Sequence, residues 1–189
     1  MFFDELDIFL DGFRKKYILV SEEEKPKVEE EDIIDELLDL YLLAFYEGSK
    51  DAGRELMMDI DPDVEKAREI INRPIAGETF EDRVRKYAQG DMGETTGTPA
   101  EAIARVAETD SVRIYNEAKL DTALDYGATE KIWHTMGDEK VRDTHQPLDG
   151  VSAPIDGLFY TYDGDRAAAP GLFSDPSNNI NCRCWLTVN

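Results

Sequence analysis

Lys131-Ile132-Trp133-His134-Thr135 decides the class of this fold, because it is where apolar side chains cease to recur at three and four and begin to alternate. Before Gly127 the helical spacing prevails. After it, Leu158-Phe159-Tyr160-Thr161-Tyr162 and the run from Ile180 to Val188 read as further strands. The expected class is α+β: an N-terminal helical arm and bundle, then a small antiparallel β module with long loops.

Toward the amino terminus, residues 2 to 17 alternate aromatics and leucine with acids and end in Arg14-Lys15-Lys16, which suits an amphipathic helix with cations at its negative end. Ser21 to Lys27 has no apolar face and contains Pro26, so it reads as a solvated linker. From Glu29 to Glu47 a stripe of Ile33, Ile34, Leu37, Leu38, Tyr41, Leu42 and Phe45 predicts a long helix closed by Gly48. Shorter helices are expected over 50 to 59, 62 to 72 and 80 to 89, burying Val64, Ile70, Ile71, Phe80, Val84 and Tyr87. A loop over 90 to 97 leads to Thr98-Pro99-Ala100-Glu101, a capping box with proline at the first helical position. The helix it starts is expected to run to Tyr126 and stop at Gly127. On it Arg105, Thr109, Arg113 and Asn116 share one face, which by spacing alone is a solvated face with ordinary ion pairs.

Hydrophobic residues at 41% suffice for a core, and no uncharged apolar run approaches the length a bilayer requires. The amino terminus lacks the basic flank and apolar region of a secretory signal. The expected location is a cytoplasm, unless a larger assembly carries the protein out, and in that compartment two cysteines are thiols or metal ligands rather than a disulfide. A net charge of −21 with no basic run longer than Arg14-Lys15-Lys16 disfavours direct duplex DNA binding.

Both histidines and both cysteines fall after residue 133. In an extended strand Cys182, Cys184 and Leu186 point to one face. With His145 the two thiols make a donor set that suits zinc, with His134 or Asp138 as a fourth ligand. The alternative is two small buried hydrophobes and a His145 that hydrogen-bonds a carbonyl of the Leu148-Asp149-Gly150 turn. A metal-dependent hydrolase would use Glu139 or Asp143 as base to a zinc-bound water, and Cys184 with His145 could form a nucleophile and base. Neither arrangement has a catalytic motif behind it, and no glycine loop cradles a phosphate.

The order of the separated pieces is specific. Trp133, Thr135, Asp138, Val141-Arg142, His145 and Leu148-Asp149-Gly150 are followed by Pro170-Gly171 and by Asn178-x-Ile180-Asn181-Cys182-Arg183-Cys184. Upstream stand Ala104-Arg105, Glu108-Thr109 and Arg113-Ile114-Tyr115-Asn116. Over about residues 98 to 189 the chain resembles the phage Mu F-like minor head proteins, or head morphogenesis domain, with residues 1 to 97 as a helical N-terminal region. The resemblance implies a minor head protein of a tailed phage or prophage that contacts portal protein or other capsid or scaffolding proteins. Its place would be the host bacterial or archaeal cytoplasm during assembly, then the virion or procapsid interior near the portal. It also implies a buried or half-buried polar network of Arg105, Glu108, Thr109, Arg113, Asn116, Asp138, Arg142 and Asp149 docking the C-terminal module, in which Arg105 and Arg113 could hold carboxylates such as Asp138 or Asp149. Some modules of this family are joined to toxin domains, so a toxin-like effector or zinc-dependent hydrolase built on the His/Cys cluster is the alternative to a non-enzymatic structural role.

Overall fold

The computed structural model describes residues 2–18 and 30–189. Six helices and two small antiparallel sheets follow in the order α1 (Phe2–Tyr17), α2 (Glu30–Glu55), α3 (Val64–Ile71), α4 (Phe80–Ala88), α5 (Pro99–Asp125), β1 (Glu130–His134), β2 (Ser152–Pro154), β3 (Phe159–Tyr160), β4 (Arg166–Ala167), α6 (Pro176–Asn179) and β5 (Trp185–Val188). The α+β class is as the change of period predicts. The linker expected over residues 21 to 27 lies outside the described residues.

Helix α5 is the axis of the molecule. Thr98 caps it with the predicted box, its hydroxyl accepting from Glu101 N while the Glu101 carboxylate accepts from Thr98 N. From Asp110 to Leu120 every residue is buried. A helix enclosed on all sides must satisfy its polar groups internally, and α5 pairs most of its charged ones, with Ser111 Oγ and Arg113 Nε and Nη2 left without a hydrogen-bond partner among the described residues. Asp110 takes both guanidinium nitrogens of Arg83 on α4 at 2.5 and 3.3 Å, Arg113 pairs with Glu117 at 2.9 Å, and Lys119 pairs with Glu55 on α2 at 2.7 Å. Burial raises the Glu117 carboxyl above its ordinary range, against the pull of Arg113 and Arg73. Spacing alone would make this a solvated face, but Arg113 and Asn116 are interior and Arg105 and Thr109 half-buried, in line with the buried or half-buried row that the resemblance implies.

Around α5, α1, α2 and α4 supply one apolar core in which Phe2 stacks on Tyr115 at 5.0 Å and Tyr41 meets Phe80 edge-on at 5.1 Å. Gly48 does not close α2. The helix runs seven residues further, to Glu55, because Gly48 lets α2 and α5 touch: a Cβ there would drive into the Tyr115 carbonyl. Three other assignments change with packing. Leu42 and Val64 are exposed rather than buried, and Leu38 is half-buried, whereas Leu37 is fully enclosed.

The C-terminal module has its own core of Leu120, Trp133, Leu148, Phe159, Phe173 and Leu186, with both cysteines. Its main sheet has the order β2-β1-β5, with Trp133 opposite Leu186 and Ile132 opposite Ser152. Strand β5 is shorter than expected, because residues 180–184 pass from α6 through a left-handed turn at Asn181 before they extend. Helix α5 contributes to both cores, Ile103 to Ala118 to the first and Leu120 to the second, so the helical region and the module are joined through one helix.

Candidate metal centre and docking site

Asn116 makes the joint between α5 and the module. Its amide donates to Cys184 O at 3.0 Å and to Val112 O at 2.9 Å, and its Oδ1 accepts from Leu186 N at 3.1 Å. One carboxamide thereby substitutes for the missing strand neighbour of β5 on that side, matching a donor and an acceptor of one extended segment. Thr109 adds a second tie by accepting from Asn181 N at 3.2 Å. Asn181 has φ 56°, a region asparagine tolerates better than other side chains, which explains the Asn before the Cys-x-Cys. Gly171 has φ 85°, and a Cβ there would lie 2.8 Å from the Arg113 Cα, so the Pro170-Gly171 turn passes against α5 with no room for a side chain.

The turn that carries His145 is held from two sides. Arg142 donates its Nε to Ser177 O at 2.8 Å and a terminal nitrogen to Ile180 O, which binds it to the segment leading into Cys182. Its own carbonyl accepts from His145 N and Gln146 N. The His145 ring lies parallel to Phe173 at 5.2 Å and meets the Trp133 ring edge-on at 5.6 Å, so the aromatic walls fix its plane. That plane aims Nδ1 at both sulfurs, 3.6 Å from Cys182 Sγ and 3.6 Å from Cys184 Sγ. His145, Cys182 and Cys184 are 1–3% exposed, their ligand atoms lie within 4.8 Å of one another, and both cysteines are free. The Cys184 thiol, hydrogen-bonded to Cys182 against the desolvation of burial and with His145 alongside, holds Cys182 well below the usual thiol range. The same contact and burial push Cys184 up.

The remaining predicted residues lie elsewhere. His134 hydrogen-bonds Thr187 at 2.8 Å and stacks on Trp185 at 5.4 Å, on the opposite face of the sheet from the cysteines. Asp138 pairs with Arg183 and caps Lys140 N at 3.0 Å. Neither joins the His/Cys cluster, so neither supplies its fourth ligand. Arg105 donates to Thr96 O, and Arg113 to Ile70 O and Glu117. The expectation that these two arginines hold Asp138 or Asp149 is therefore corrected. Asp149 instead accepts from Thr135 N at 2.7 Å and Thr135 Oγ1 at 3.1 Å, closing the Leu148-Asp149-Gly150 turn onto the end of β1. Glu108 is half-buried near Arg14 of α1, and burial raises its carboxyl.

A hub escaped the sequence reading. Asp165 accepts from Ser174 Oγ at 2.7 Å, Asp175 N at 3.1 Å, Arg166 N at 2.8 Å and Asn178 Nδ2 at 3.2 Å. Burial opposes its ionisation, but these donors outweigh it and hold the carboxyl below its ordinary range. The available signal was Asp163-Gly164-Asp165, a turn sequence whose aspartates cap backbone amides.

The match to the Phage Mu protein F like protein family runs over residues 65–187, from α3 through β5 and across His145, both cysteines and Asn116. The chain belongs to the phage Mu F-like family. That places it among phage head morphogenesis proteins. The match begins well before residue 98 and so takes in α3 and α4, which pack on α5. Among curated proteins, the NAD(+)-arginine ADP-ribosyltransferase EFV of Enterococcus faecalis is 30% identical over 124 residues, 64% of this chain and 25% of that protein. The phage Mu F-like chain thus spans about a quarter of that relative's length. No solved structure matches it. Among the described residues, no helix is long and apolar enough to cross a membrane.

Proposed function

We propose that this phage Mu F-like chain is a minor head protein that binds the portal of a tailed phage or prophage and acts in head morphogenesis by scaffolding rather than by catalysis. The observation that carries the reading is the family match over 65–187, which coincides with one continuous docked unit. The chemistry of that unit supports it. Several of its polar side chains are spent on holding its own segments together: Asn116 on β5, Arg142 on the loop before Cys182, Asp149 on Thr135, Asp165 on α6. His145 and both thiols are enclosed. The acidic outer faces of α1 and α2 are offered to a portal or capsid surface, and a net charge of −21 favours a basic partner.

Co-expression with the portal protein of the same phage tests this reading. A complex that survives size exclusion at physiological salt, and whose association slows as salt rises, is the expected result. Separate elution of the two proteins at micromolar concentration overturns it. A second reading, a module joined to an ADP-ribosylating effector, rests on the name of the Enterococcus faecalis relative. It requires consumption of NAD by the chain with an arginine-containing acceptor.

A further inference from the structure

We propose that His145, Cys182 and Cys184 hold a zinc ion through the imidazole Nδ1 and two thiolates, and that this ion staples the His145 turn to the chain end. The first argument is metric. A tetrahedral zinc with Zn–S of about 2.3 Å and Zn–N of about 2.0–2.1 Å sets each N···S edge at about 3.6 Å. Both Nδ1–Sγ distances are 3.6 Å. The second is the symmetry of the contact. Nδ1 has one in-plane direction for a lone pair or a proton, and a hydrogen bond along it favours one sulfur, whereas a cation on that direction draws both sulfurs equally.

Charge and place agree with the metric. Two thiolates and a neutral imidazole balance a divalent cation, so the loaded site buries no net charge, as an interior of Trp133, Phe173 and Leu186 requires. A monovalent soft cation such as Cu(I) would leave a net negative charge there. A small cleft lined by Met136, Val141 and Asn181 reaches the three ligands. Because Asp138 across it is engaged by Arg183, the fourth ligand of the ion would come from this cleft rather than from Asp138. The ligands come from the turn after β1 and the segment before β5, so the ion closes a loop of nearly forty residues that the sheet holds by only a few backbone bonds.

The full chain, expressed in zinc-supplemented medium and purified without chelator, is the material for the test. Elemental analysis should return about one zinc per chain, and a chelator should remove it with a fall in melting temperature that re-added zinc reverses. Replacement by cobalt should give the thiolate-to-cobalt charge-transfer absorption of a tetrahedral sulfur site. The Cys182→Ser/Cys184→Ser chain should lose both the metal and the absorption, whereas His134→Ala should keep them. Should the serine variant fail to fold, cobalt titration of the wild-type apo chain decides alone. A folded wild-type chain that contains no zinc and gives no cobalt charge-transfer band overturns the proposal, as does copper found in place of zinc.

Discussion

The Asn116 carboxamide satisfies Val112 O, Cys184 O and Leu186 N, bonding two backbone groups of the chain end at once. Asn116→Ala leaves buried backbone groups of β5 without partners, at a cost of about 1–3 kcal/mol. Urea unfolding should show the midpoint lowered with an unchanged slope. A variant as stable as the parent would mean that water or a shifted strand replaces the amide and that the clasp is incidental. Lys131 presents the opposite case. Its Nζ is buried with no hydrogen-bond partner among the described residues, 5.7 Å from the Phe159 ring centre, and burial pushes its pKa down from 10.5 to about 8. Because the folded value lies below the unfolded one, the charged amine weakens the fold fully below pH 8, and the loss is recovered as pH rises from about 8 to 10.5. Lys131→Met should therefore be more stable than the parent by about 1–3 kcal/mol at neutral pH, with the gap narrowing toward pH 10. Unfolding curves at pH 7 and pH 10 check it, and a gap independent of pH contradicts the assignment.

At the scale of elements, α2 and α5 make the largest helix–helix contact, seated on Leu37, Tyr41 and Ala44 and brought close at Gly48. Leu37→Ala should cost about 2–5 kcal/mol, since the side chain is fully enclosed, while Leu42→Ala on the exposed side of the same helix should change stability by less than about 0.5 kcal/mol. Thermal melts of the two variants measure this, and equal losses would mean that Leu42 is covered too. The contrast also marks what a sequence can carry. The stripe on α2, the Thr98 box and the change of period at Lys131 are local signals, and the elements follow them. Gly48 looks like a helix stop because its reason for being glycine lies on another element, at the Tyr115 carbonyl. Likewise Arg113 and Asn116 have the spacing of a solvated face, and only the surrounding α2, α3 and β5 make that face interior. The convergence of His145, Cys182 and Cys184 follows the expectation drawn from their confinement to the last sixty residues, while His134 in the same stretch stands apart on Thr187 and Trp185. The partners of Arg105, Arg113 and Asp149 were not, because ion-pair choice depends on distances that spacing does not encode.

The molecule as a whole carries −21 charges, yet Arg14, Lys140, Arg142 and Arg183 gather on one cleft between α1 and the module. Asp7 and Glu108 line the same cleft, Arg142 donates to two carbonyls and Arg183 is paired with Asp138. Few phosphate contacts remain to be made, so duplex DNA should bind negligibly at physiological salt. Fluorescence anisotropy should stay flat to tens of micromolar; a salt-sensitive micromolar affinity would make this cleft a nucleic-acid site.

The proposed scaffolding role places the work of the chain on its outer surface, where most of its acidic side chains lie. Cross-linking mass spectrometry of purified DNA-free procapsids and mature virions measures that directly. The account predicts the chain in both particles, cross-linked through lysines of its acidic helical side, such as Lys15 on α1 or Lys50 on α2, to the portal protein. Absence from both particles, or cross-links confined to subunits remote from the portal, would contradict it.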